Sequence, residues 1–111
     1  MSLEIYIRFE DVNWYLGNKG EIKDKLRSLS VFLDEKDGVI YLRNGGERGS
    51  GFFSYDSRFL FEEEYIFLDI FSNEIPIVRG LYSVFSFLKK ETRVVIADED
   101  GENVDWFFSG L

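Results

Sequence analysis

Five carboxylates and no cation fall within Ala97–Trp106, ADEDGENVDW: Asp98, Glu99, Asp100, Glu102 and Asp105. Carboxylates at this density can ligate a hard cation or stand as a field that steers a cationic partner. Alternation of Asp98, Asp100 and Glu102 has the look of a calcium loop. A helix–loop–helix calcium site, however, wants glycine at the sixth position and glutamate at the twelfth, where this chain has Asn103 and Ser109. As a plain turn centred on Asp100-Gly101, the stretch sets Glu99 across from Glu102, and such a like-charged pair costs only tenths of a kcal/mol (about 0.2–1) at an exposed tip. Solvated turn and docking surface both remain open readings of it.

A second acidic triplet, Glu62, Glu63 and Glu64, precedes the apolar run YIFLDIF. It extends the same field if it lies at the same end of the fold. Asp69 is the one carboxylate embedded in that run, and burial would raise its pKa and suit it to acid–base work. Alternation favours the solvent-facing reading, and spacing fixes no second carboxylate as its partner. NGGERGSG (44–51) lacks the Gly-Lys-Ser/Thr ending of a phosphate loop and the Gly-x-Gly-x-x-Gly of a dinucleotide site, so it reads as a loop whose Arg48 can touch a partner. Lys19, Lys23 and Arg27 form a basic helix stripe, which reads as a solvated face.

The composition removes much chemistry. The 111 residues include no cysteine and no histidine. This excludes thiolate and imidazole zinc sites, cysteine nucleophiles and histidine-based triads, and we expect neither an enzyme nor a cofactor. Formal net charge is −8, with 9 basic and 10 acidic side chains in residues 1–60 but 4 and 11 in residues 61–111. The second half thus carries −7. Such a surface repels nucleic acid phosphates and anionic membranes and attracts basic proteins. No run of about eighteen apolar residues occurs, and the opening MSLEIYIRFE lacks a basic region followed by an apolar stretch, so a cytoplasmic protein is expected.

The elements that must hold these residues follow from periodicity. LEIYIRF (3–9) alternates as a half-buried strand. Asn18-Lys-Gly-Glu21 has a capping-box pattern, and Ile22, Leu26 and Leu29 then recur at helical spacing, which predicts a helix over 19–29. VFLDEKDGVIYL (31–42) predicts a hairpin turning in Asp34–Gly38. Residues 52–61 and 65–71 predict further strands, with Tyr55–Arg58 and Glu62–Glu64 as turns. Pro76 suits a first helical turn, and Ile77, Leu81, Val84, Phe85 and Leu88 carry a second helix to about Lys89. RVVIA (93–97) and VDWFF (104–108) flank Asp100-Gly101 as a last hairpin, in which alternation turns either Trp106 or Phe107 inward. The sum is a single α+β domain over 1–111, its antiparallel or mixed sheet covered by two helices on one face.

Carboxylates interleaved with aromatic rings in FEEEYIFLDIF and ADEDGENVDWFF give the second half of this small, cysteine-free chain a character that resembles the immunity proteins of bacterial toxin systems, as in nuclease colicins and contact-dependent inhibition. The resemblance implies a protein that binds its cognate toxin domain and neutralises it. Nuclease toxins must be basic to hold phosphate, so an acidic inhibitor gains rapid association. The contacts expected are Glu62, Glu63, Glu64, Asp98, Glu99, Asp100, Glu102 and Asp105, with Trp106 or Tyr55 as an aromatic anchor. Two rivals stand beside it: a DNA mimic acting on a nucleic-acid-binding protein, and a small-ligand domain with Asp69 in a carboxylate pocket. A homo-oligomer formed through a sheet edge is also compatible with the sequence.

Overall fold

The computed structural model describes residues 3–44 and 55–108, apart from the side chains of Asp105 and Trp106. Among the described residues six strands, β1 (Leu3–Phe9), β2 (Phe32–Lys36), β3 (Val39–Leu42), β4 (Ser57–Phe61), β5 (Tyr65–Ile70) and β6 (Val94–Asp98), join two helices, α1 (Val12–Arg27) and α2 (Ile75–Glu91). The strand order is β2-β3-β4-β5-β1-β6, and every neighbouring pair is antiparallel. This is an α+β fold, with α1 carrying the chain from β1 to the far edge.

Strand alternation decides which face the helices cover. Ile5, Ile7, Phe59, Ile66 and Leu68 are fully buried, and they share one core with Tyr15, Ile22 and Leu26 of α1 and Ile77, Leu81, Val84, Phe85 and Leu88 of α2. Both helices therefore lie on one face. The other face carries no helix among the described residues.

Helix α1 departs from expectation. It begins at Val12, where the Asp11 carboxylate accepts the Trp14 N–H at 3.1 Å, and Asn18 is no cap: its side-chain amide donates to the Trp14 carbonyl at 2.7 Å, one turn back. An aspartate three residues before its N–H donor is the better N-cap, and Gly17 and Gly20 hid the continuation in the sequence. Stacking of Phe9 on Tyr15, with ring centroids 4.4 Å apart, then ties the first turn to β1. The helix ends at Arg27, with Leu29 beyond it but packed against the core.

The first hairpin forms, but its turn is Asp37-Gly38 alone, since Asp34, Glu35 and Lys36 of the expected turn pair within β2. Asp37 and Gly38 both take positive φ, 54° and 80°, the requirement of a two-residue turn matched to strand twist. Its edge strand β2 is irregular between Phe32 and Asp34 and bears Asp34, Glu35 and Lys36, features that discourage edge pairing. Gly80 lets α2 pass close above the approach to β2, since a Cβ there would meet Val31 Cγ2 at 3.1 Å.

The C-terminal segment also differs. After β6, a single bridge forms among the described residues, Ala97 to Asn103, and Asp105–Phe108 makes a 3-10 turn in place of the expected strand. Val104 is buried, while Phe107 and Phe108 are both half-buried against the core. Phe108 meets Tyr82 and Phe85 of α2 edge-on at 5.5 and 5.4 Å, a ring-to-ring packing that favours curling over α2 rather than extending beside β6. No helix among the described residues is long and apolar enough to cross a membrane.

Candidate functional site

Register builds the helix-free face row by row. The first row runs Asp34, Tyr41, Arg58, Asp69, Glu4 across β2, β3, β4, β5 and β1. The second runs Leu60, Phe67, Tyr6, Ala97, and the third Tyr65, Arg8, Val95. Polar, apolar and mixed rows thus lie side by side. Tyr6 is tilted against Phe67 at 5.3 Å and Tyr65 at 6.0 Å, with the Arg8 guanidinium 4.9 Å over its ring.

The first row holds the chemistry. Asp69 is only 4% exposed. Its Oδ2 accepts from Arg58 Nε at 2.7 Å, whereas Oδ1 is buried with no hydrogen-bond partner among the described residues. An unsatisfied buried acceptor costs about 1–3 kcal/mol, more when charged. Burial pushes the Asp69 carboxyl up; the Arg58 hydrogen bond and charge pull it down, and nearby Glu4 pushes it up again, with burial prevailing. The same bond raises the Arg58 guanidinium. Asp69 thus lies on the face opposite Ile66, Leu68 and Ile70, as alternation implied, but is not exposed to solvent as expected.

Tyr55 borders this row. The Arg58 guanidinium lies 5.9 Å from its ring centroid, and Tyr41 and Phe71 meet it edge-on at 5.0 and 5.5 Å. Burial raises its hydroxyl pKa. Tyr55–Arg58 is not the turn expected, because β4 already starts at Ser57 and its hydroxyl donates to the Asp69 carbonyl at 2.8 Å. That pairing puts Arg58 opposite Asp69.

The two acidic tips sit at opposite ends of the sheet, so they do not form the single cluster considered from the sequence. Tyr65 pairs with Arg8 near the end of β1, whereas Asp98 pairs with Ile5 near its beginning. The six residues of β5 set the tips about 20 Å apart at ~3.3 Å per residue. Glu62, Glu63 and Glu64 are exposed, and the buried Tyr15 hydroxyl fixes their loop by donating to the Glu62 and Tyr65 carbonyls at 2.7 and 3.1 Å. Burial, then the Glu62 charge, raises the Tyr15 pKa.

At the other tip Asp98 is a scaffold residue. Its Oδ1 accepts the Asp100 and Glu102 N–H groups at 3.0 and 2.9 Å, and its own N–H donates to the Glu102 carbonyl at 2.9 Å. Asp98 thus faces Glu102 and Glu99 does not, because Gly101, at φ 82°, closes a three-residue loop rather than a two-residue turn. Glu99, Asp100 and Glu102 project into solvent. Asp105 and Trp106 follow in the 3-10 turn, their side chains outside the described residues.

Cations on α1 are largely spent internally. Arg27 pairs with Asp24 and Glu35, both at 2.7 Å, while Lys19 and Lys23 each lie 5.0 Å over a ring, Tyr15 and Phe61. Glu62, Glu63, Glu64, Glu99, Asp100 and Glu102 make no ion pair among the described residues. No group of three acids there converges to hold a metal. An open groove where β1 meets α1 is lined by Glu10, Asp11, Val12 and Arg93; Asp69 is not among its walls. Arg48 lies outside the described residues.

Sequence reasoning missed Glu4, Asp34, Tyr41 and Arg58. The alternation of LEIYIRF marked Glu4 as outward, but only register joins it to Asp69. Comparison with protein-family models, with curated proteins and with solved structures finds no match.

Proposed function

We propose that this chain is a non-enzymatic protein inhibitor of the immunity type, which neutralises a basic bacterial toxin domain, such as a nuclease, by docking. The observation that carries this reading is uncompensated charge: three of the four α1 cations, Lys19, Lys23 and Arg27, are engaged within the chain, while six exposed carboxylates at the two tips have no ionic partner among the described residues. Such a surface accelerates encounter with a cationic protein and disfavours phosphate. Between the tips lies a half-exposed aromatic face of Tyr6, Tyr65, Phe67, Tyr41 and Tyr55, the residue types that anchor interfaces. A standard interface of about 800 Å² per partner is about 30 Å across, enough to span both tips.

The test is affinity capture with the tagged chain from its source organism's lysate at low and high salt, with retained proteins identified by mass spectrometry. The expected result is a basic domain, released by salt, whose expression alone arrests growth. Retention of a nucleic-acid-binding regulator instead would favour the DNA-mimic reading, and retention of nothing but the chain itself would overturn docking.

A further inference from the structure

We infer that the first row of the helix-free face is an arginine-accepting subsite, in which Asp69 Oδ1 takes an N–H of an arginine side chain from a basic partner protein. This inference rests on the docking function proposed above and names the chemistry it meets at the centre of the face. Four observations lead to it. The row Asp34, Tyr41, Arg58, Asp69, Glu4 carries three carboxylates against one guanidinium. Arg58 satisfies one oxygen of Asp69 at 2.7 Å. The other oxygen is buried without a partner among the described residues, and the carboxylate is 4% exposed, far from free solvation. Aromatic rings border it: Tyr55 lies beside Arg58 and Tyr41 beside Tyr55.

A planar guanidinium fits this surround better than an ammonium. It presents several N–H donors in a fixed fork, sheds water more readily, and stacks on tyrosine. Asp69 would then bridge two guanidinium groups, one oxygen each, with Glu4 in the adjacent register position to balance the second charge. Access requires a side chain at the rim to turn while Arg58 keeps its bond to Oδ2, and Glu4, half-buried in the adjacent register position, is placed to do so. Rotamer changes of this kind are common when proteins dock. A neutral donor would satisfy Oδ1 but leave the row's excess negative charge in place.

The probe is Nα-acetyl-L-arginine amide, titrated into the isotope-labelled chain and followed by amide chemical shifts. Its uncharged isostere Nα-acetyl-L-citrulline amide and the lysine analogue serve at matched ionic strength. Saturable shifts centred on Glu4, Tyr41, Arg58 and Asp69 are expected, with citrulline inactive, lysine weaker, and affinity reduced about tenfold in D69N, the loss expected for a charge-assisted hydrogen bond. E4Q, which leaves the Arg58–Asp69 bond in place, is expected to weaken binding about threefold and keeps the test decisive if D69N fails to fold. Shifts confined to the acidic tips, or equal for arginine and citrulline, would overturn the subsite.

Binding of the captured toxin domain to E4Q and D69N separates the two claims. Unchanged affinity with both would remove the subsite and leave docking through the tips. Arginine binding at Asp69 with no toxin captured would keep the subsite and remove the immunity function.

Discussion

Arg58 and Asp69 face each other across β4 and β5, Nε to Oδ2 at 2.7 Å, and they do so on the sheet face opposite α1 and α2. Removing the guanidinium leaves a nearly buried carboxylate without its counter-charge. Fully buried pairs lose about 3–5 kcal/mol when one partner is deleted; with Arg58 itself 35% exposed, R58M is expected to cost on the order of 2 kcal/mol after allowance for solvent screening. Urea unfolding at neutral pH measures it, and an unchanged midpoint would show that the pair bears no weight.

Acid should relieve the same site. Burial raises the Asp69 carboxyl above its ordinary value of 3.8, so the folded chain binds that proton more readily than the unfolded one. The stability it contributes is fully present below the ordinary value and is lost as pH rises through the raised one. D69N cannot titrate there. Wild type should therefore gain stability relative to D69N as pH falls from neutrality toward 3.8; a flat difference, or one of opposite slope, would contradict the assigned burial effect.

The Tyr15 hydroxyl joins α1 to the β4–β5 loop through two carbonyls. In Y15F the ring still stacks on Phe9, but both carbonyls lose a donor, at a cost of about 1–2 kcal/mol. Amide exchange at Glu62, whose N–H bonds the Tyr65 carbonyl at 2.9 Å, should accelerate. Unaltered exchange there would show that the loop holds its shape without Tyr15.

Within the last acidic turn, Asp98 and its neighbours should separate by role. D98A removes the acceptor of two backbone N–H groups and is expected to cost about 1 kcal/mol. E99Q and D100N, exposed and without such bonds, should stay within about 0.5 kcal/mol of wild type. Thermal unfolding of the three variants distinguishes them, and equal losses would refute the division.

Charge reversal at the tips should act on association. E62K/E63K/E64K and E99K/D100K/E102K should each slow binding of the captured domain and flatten its salt dependence. Tips about 20 Å apart share no contacts, so the effects on the logarithm of the rate should add. An effect from one set alone would confine the partner to that end of the sheet.

Local signals carried much of this fold. Alternation in LEIYIRF and YIFLDIF, Asp-Gly at 37–38, and Pro76 ahead of the spaced apolar residues of α2 each state a backbone preference in adjacent residues, and each matches the structure. The start of α1 was hidden because Gly17 and Gly20 interrupt the pattern while Asn18 imitates a cap. The end of the chain misled for a different reason: contacts with Tyr82 and Phe85 draw Phe108 over α2, a tertiary preference absent from the local sequence. The acidic stretches were legible as charge, but their placement at opposite ends depends on β1 lying between β5 and β6. Arg58 facing Asp69 is likewise a product of register.

The most direct measurement of the central claim is growth of cells expressing the captured basic domain, with and without this chain. The wild-type chain is expected to restore growth, and the variant with both tips reversed, shown to be folded, to restore it less. A captured domain that is harmless alone, or toxicity that the wild-type chain leaves untouched, would contradict that claim.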